Sequence, residues 1–187
     1  MEYVEPIRDK KKIDAMKKVL KADSNRNYIM FLLGINSGLR ISDMLLLKVS
    51  DVKDKKGKIN DRVVIREKKT NKSKNFPLSK PVQKALEEYT NGMEYGGSLL
   101  PSREGDNKSI TRQQAYRIIN AAARAVGITD QIGTHTLRKT FGYHAHKQGA
   151  SLELLQKLFN HAAPSITMRY IGITQDDMDA VYLSMDL

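Results

Sequence analysis

No cysteine and no tryptophan occur among the 187 residues, proline appears only five times, and aromatic residues make up 6%. The lack of cysteine excludes disulfides and thiolate-held metal ions. No apolar run reaches the roughly 18 residues that a membrane span needs. The opening Met1-Glu2-Tyr3-Val4-Glu5 lacks the basic-then-apolar layout of a secretory signal. These absences point to a soluble intracellular protein with no membrane association. Internal repeats and low-complexity linkers are missing as well, which leaves one ordinary domain, or one domain with a short appendage.

Positive charge is abundant. The net charge is +11, the isoelectric point is about 9.7, and hydrophobic residues, at 40%, suffice for a real core. Residues 48–84 hold thirteen Lys or Arg against four Asp or Glu, whereas the segment after Tyr170 holds four Asp and no basic residue. A basic lobe of this kind suits a polyanion such as nucleic acid, and the acidic tail is suited to docking elsewhere.

Periodicity gives a mostly helical reading. Ile13, Met16, Val19 and Leu20 place a helix over 10–22, and Ile29 to Leu33 make 26–36 a central helix that Gly38 ends. Ser42 or Asp43 starts a short helix through Leu47. Val63-Val64-Ile65, a lysine-rich turn and Phe76-Pro77 read as a hairpin within 52–78. Further helices are expected from near Pro81 to Thr90, from the capping pair Thr111/Gln114 to about Val126, over Thr136–Gln148, over Ser151–Phe159, and from Ser165 through Tyr170. In the tail, Thr174 and Asp177 start a helix on which Met178, Val181, Tyr182 and Met185 form an apolar stripe. That stripe must be buried, either on its own domain or in a neighbouring protomer. The fold class is therefore mainly α with a small antiparallel sheet, an α+β domain.

Several residues could together break a phosphodiester without metal. Arg40 and Arg138 can each present a bidentate fork to phosphate, and His161 can add a donor. His135 titrates near neutrality and can take a proton from a tyrosine, whose pKa near 10 otherwise makes it a poor nucleophile. Singly, each has a plainer role: Arg40 as an ion-pair partner of Asp43, the histidines as hydrogen-bonded helix ends, Tyr170 as a packing residue. His144 and His146 lie two apart on a helix, share no face and are not read as catalytic.

The joint spacing overturns the plain readings. Gly38-Leu39-Arg40-Ile41-Ser42-Asp43, Thr134-His135-Thr136-Leu137-Arg138-Lys139-Thr140-Phe141, Leu158-Phe159-Asn160-His161 and Tyr170 nine residues on occur in order. This set resembles the Arg…His-x-x-Arg…His…Tyr signature of the tyrosine recombinases, the phage integrase family. Phe159-Asn160 stands where Leu-Gly is common, and Asp43 takes the usual acidic position behind Arg40. The resemblance runs from about residue 10 to the end and implies the catalytic-domain fold of DNA breaking-rejoining enzymes.

It also implies roles. Tyr170 is the nucleophile, forming a 3′-phosphotyrosine. Arg40, Arg138 and His161 bind the phosphate, His135 is the base, and a hairpin-turn lysine protonates the leaving 5′ oxygen. Lys69 fits that placement best, with Lys68 and Lys72 as competitors. Lys68, Lys72, Lys74 and Arg112 are expected DNA contacts, while Arg117 and Arg124 serve solvation or phosphate contact equally. Tyr182, the rival nucleophile, is read as a packing residue. No metal, cofactor or ATP is required. The expected partner is double-stranded DNA, bound by a homotetramer on two duplexes, with a monomer when free and the tail helix of 174–187 exchanged between protomers. The expected location is the cytoplasm of a bacterium, or of the bacterial host for a phage protein. The whole of 1–187 reads as a catalytic domain without the separate core-binding domain that integrases usually carry in front. Two alternatives remain: a type IB topoisomerase-like enzyme, and a DNA-binding protein that keeps the fold without the chemistry.

Overall fold

The computed structural model describes residues 4–69, 71–105 and 107–185. The chain opens with α1 (Lys10–Asp23), capped by the Asp9 side chain on the Lys11 amide and burying Ile13, Met16 and Leu20. Helix α2 (Asn25–Ser37) buries residues on nearly every side and forms the centre of the core. It stops at Gly38, whose φ of 59° lies in the left-handed region. Two single-turn helices follow, α3 (Ile41–Met44) and α4 (Val49–Val52). The sequence reading contains nothing at α4; its start is marked only by the Asp51 carboxylate on the Lys48 amide.

Strands β1 (Arg62–Arg66) and β2 (Ser73–Pro77) form an antiparallel hairpin, with Val63 opposite Phe76 and Arg66 opposite Ser73. Val63 and Phe76 anchor it to the core, while Lys68, Lys69 and Lys72 stand exposed at its turn. Helix α5 (Lys80–Thr90) leads to a loop and then to α6 (Arg112–Ala125), whose Thr111/Gln114 capping box forms in both directions. The remaining helices are α7 (Thr134–Lys147), α8 (Leu152–Phe159), α9 (Pro164–Ile171) and α10 (Gln175–Leu183). No described helix is long and apolar enough to cross a membrane.

Two apolar clusters organise the chain. The large one joins α1, α2, α5 and α6 with Leu137 of α7; the small one is Leu155, Phe159 and Ile171 under α7, α8 and α9. Gly142 on α7 makes the second cluster possible. A Cβ there would lie 2.6 Å from Ile171 Cγ2 and 2.7 Å from the Phe159 ring. Neither neighbour is a flexible tip, so Gly142→Ala must push α9 away from α7. We expect a loss of about 1–3 kcal/mol in urea denaturation, together with a displacement of Tyr170, which α9 carries.

The tail departs from expectation. Helix α10 forms with its Thr174/Asp177 capping box but buries no residue. Val181 is 61% exposed and Tyr182 80%, so Tyr182 is not a packing residue within this chain. One ion pair, Lys147 Nζ to Asp177 Oδ1 at 2.9 Å, ties the helix to α7. The last two residues of the expected 174–187 tail lie outside the described residues.

Candidate active site

Local structure aims each side chain. The left-handed turn at Gly38 swings the chain into an extended Arg40, the residue before α3. Arg138 sits one turn into α7 and is only 2% exposed. Its two terminal nitrogens donate to the carbonyls of Gly38, at 2.6 Å, and Phe159, at 2.9 Å. One guanidinium thus fastens the Arg40 segment and the His161 segment to α7. Asn160 adopts a left-handed conformation, with φ 54°, and turns the chain sharply so that His161 follows directly on α8.

Phe159 is the floor on which these groups meet. It is fully buried. The Arg138 guanidinium stands 4.5 Å from its ring centre, the Tyr170 ring meets it edge-on at 5.5 Å, and the His161 ring lies 5.4 Å away. His161 and Tyr170 touch each other, with ring centres 4.9 Å apart. The ammonium of Lys139, itself 6% exposed, lies 5.4 Å from the Tyr170 ring. His161 Nδ1 is 3.1 Å from the Thr167 hydroxyl. A neutral His161 whose Nδ1 accepts from that hydroxyl carries its proton on Nε2, free to donate to an anion.

Electrostatics suit an incoming phosphate. Burial holds the Tyr170 pKa above its ordinary value, and the Arg138 and Arg40 charges offset only part of that rise. Burial, then Arg112, Arg138, Lys139 and Arg40, lower the pKa of His135, which stands at the rim. Burial, Arg138 and Arg40 lower that of His161. Both histidines are therefore neutral at pH 7, the state a base requires. The Lys74 ammonium is lowered to about 8, mainly by burial and then by Arg138. Two carboxylates balance the cations: Glu67, 2.7 Å from Arg40, and Asp43, 3.9 Å from it.

The structure thus brings Arg40, His135, Arg138, His161 and Tyr170 into one electrostatic neighbourhood, with Asp43 buried behind Arg40. Lys69 and Lys68 are exposed on the hairpin turn, and the Lys68 amide donates to Asp43 Oδ1 at 2.9 Å. Lys72 Nζ reaches Asn160 Oδ1 at 2.7 Å, linking the hairpin to the His161 segment. Lys74, read as a DNA contact, feels the charges of both Arg138 and Arg40 and lines a 450 Å³ cleft with Glu67, Phe141 and Asn160. Arg112 is exposed beside His135 at the edge of a second, 680 Å³ cleft. Glu67 and Thr167 escaped the sequence reading; Lys139 and Phe159 stood within the second and third boxes, without a role assigned, Phe159 as a departure from Leu-Gly.

Residues 8–176 match the Phage integrase family. The probable integrase/recombinase YoeC of Bacillus subtilis (strain 168) is 44% identical over 182 residues, which are 97% of each chain. The crystal structure of XerA recombinase superposes with a TM-score of 0.75 at 19% identity, over 98% of this chain and 66% of that one. A pre-cleavage complex of XerH site-specific recombinase bound to its difH substrate gives 0.71 at 16% identity, over 99% and 56%. The two structures share the fold, and this chain spans about two thirds or less of their length. With a family match over nearly all its residues and a relative alike from end to end, the chain belongs to the phage integrase family of tyrosine recombinases.

Proposed function

We propose that residues 4–185 form one catalytic domain that cleaves and rejoins DNA at specific sites through a 3′-phosphotyrosine. The observation that carries this reading is the meeting of Arg138, His161 and Tyr170 on Phe159. Tyr170 Oη attacks the phosphorus and the bond to the 5′ oxygen breaks. The tyrosine proton passes to His135, which is neutral at pH 7. Arg40, Arg138 and His161 Nε2 stabilise the charge on the non-bridging oxygens. Lys69 gives its proton to the departing 5′ oxygen, and Asp43 steadies Arg40. The 5′ hydroxyl of another strand then reverses the step on a new partner.

Double-stranded DNA is the substrate, lying across the basic hairpin with Lys68, Lys72, Lys74 and Arg112 on its phosphates; the DNA-bound XerH complex supports that partner. Protomers are monomers when free and assemble as tetramers on two duplexes. The apolar residues left bare on α10 support its docking on a neighbouring protomer. The setting is the bacterial cytoplasm, in the cell itself or in a phage host.

A leaving-group substitution tests the acid. Sulfur in place of the bridging 5′ oxygen leaves as a thiolate, which needs no proton. Lys69→Ala should slow cleavage of the oxygen substrate by about 10²–10⁴-fold and leave the sulfur substrate near the wild-type rate. The same pair of substrates, applied to Lys68→Ala, Lys72→Ala and Lys74→Ala, assigns the acid elsewhere if Lys69→Ala shows no such contrast.

A further inference from the structure

Arg40 is held by a residue that none of the recombinase signature contains. Its Nη1 donates to Glu67 Oε1 at 2.7 Å, and the two side chains are 17% and 5% exposed. Asp43, in the usual acidic position, is further off, at 3.9 Å, and its Oδ2 makes no hydrogen bond. Its other oxygen is taken by the Lys68 amide. The direct partner of Arg40 is therefore Glu67.

Glu67 is itself fixed. It follows the last residue of β1, its amide donates to the Lys72 carbonyl, and its carbonyl accepts from the Asn71 amide. Both bonds close the hairpin turn. The hairpin and Arg40 are thereby linked through one short, mostly buried, charge-assisted bond. An arginine side chain loses much rotamer entropy when ordered. A bond already made in the free protein meets that cost before DNA arrives. It engages one edge of the guanidinium and leaves other donors for a phosphate.

We propose that Glu67 is a positioning residue for strand cleavage, acting through Arg40 to set its guanidinium against the scissile phosphate. The inference depends on the reading of Arg40 as a phosphate ligand, and the test separates the two. A misplaced phosphate clamp costs rate at saturating DNA far more than it costs affinity, because DNA is bound through many other charges.

The experiment is single-turnover cleavage by the full chain, at saturating DNA. One substrate carries an ordinary scissile phosphate and the other an uncharged methylphosphonate there. The methylphosphonate has little charge for an arginine to stabilise. On the phosphate substrate, Glu67→Ala should be slower by about 10- to 100-fold, with DNA affinity within about 3-fold of wild type. Glu67→Gln, which keeps an oxygen acceptor at the same reach but no charge, should recover most of that loss. On the methylphosphonate the deficits of Glu67→Ala and Arg40→Ala should both shrink to less than about 3-fold. Equal losses for Glu67→Ala on both substrates, with Arg40→Ala showing the contrast, would overturn the proposal and keep the Arg40 reading. Absence of the contrast in Arg40→Ala would remove that reading and the proposal with it. Wild-type or faster cleavage by Glu67→Ala would also overturn it, marking the bond as a brake. Thermal melts accompany the series. If Glu67→Ala does not fold, Glu67→Gln carries the comparison: a measurable slowing confined to the charged substrate is expected, and a slowing equal on both overturns the proposal.

Discussion

Replacing Tyr170 by Phe abolishes covalent DNA adducts and lowers strand cleavage by on the order of 10⁵-fold or more, while DNA affinity stays within about 2-fold. The ring of residue 170 packs edge-on against Phe159 and His161 and lies below the Lys139 ammonium. Phenylalanine keeps all three contacts. The hydroxyl alone is lost, from beside the Arg138 charge, so stability should move by no more than about 1 kcal/mol. No other oxygen can then form the phosphoester, since an adduct requires a nucleophile in line with the leaving group. Denaturing gels for the adduct, beside mobility shifts for binding, measure the two effects separately. An adduct persisting at wild-type level in Tyr170→Phe would place the nucleophile elsewhere.

Arg138→Ala should do more damage, and of a different kind. Arg138 is 2% exposed and donates to two main-chain carbonyls from distant parts of the chain, Gly38 and Phe159. Each hydrogen bond from a charged donor contributes about 1.5–3 kcal/mol, and truncation leaves both carbonyls buried without their donor. We expect about 3–5 kcal/mol of lost stability in urea denaturation, a large share of the roughly 5–15 kcal/mol that a folded domain commonly has, and no detectable cleavage. Lysine cannot copy the fork. Arg138→Lys should reach one carbonyl at most, falling between wild type and alanine in stability while remaining inactive. Unchanged stability in Arg138→Ala would show that the arginine does not hold the two segments together. In the proposed mechanism the same side chain serves both the fold and the phosphate, whereas the Tyr170 hydroxyl serves the chemistry alone.

Local signals in the sequence translated well. The Thr111/Gln114 capping box and the left-handed Gly38 need only neighbouring residues, and both stand where the pattern puts them. Helix α7 begins at Thr134, two residues before the expected start at Thr136, because the Thr136 hydroxyl accepts from the Gly133 amide and closes the first turn there. The signature residues were legible because their order and spacing are properties of the chain. Their supports were not. Glu67 lies 27 residues from Arg40, and a glutamate at the end of a strand looks like any surface carboxylate until the hairpin folds over box Gly38-Leu39-Arg40. Lys139 follows Arg138 in sequence, yet its placement over Tyr170 depends on how α9 meets α7. The tail shows the converse. Its periodicity fixed a helix but could not say what covers the apolar stripe, and nothing in the chain does so among the described residues.

The central claim is that Tyr170 becomes joined to DNA, and mass spectrometry of the trapped adduct tests it most directly. Trypsin cuts after Arg169, and no Lys or Arg follows, so one peptide carries both Tyr170 and Tyr182. Fragmentation within that peptide must place the nucleotide remnant. The account predicts the phosphate on Tyr170, attached to the 3′ side of the cleaved strand. A remnant on Tyr182 or on any other residue would contradict it. Under conditions where the chain binds DNA, failure to trap any adduct would favour a protein that keeps the fold for binding alone.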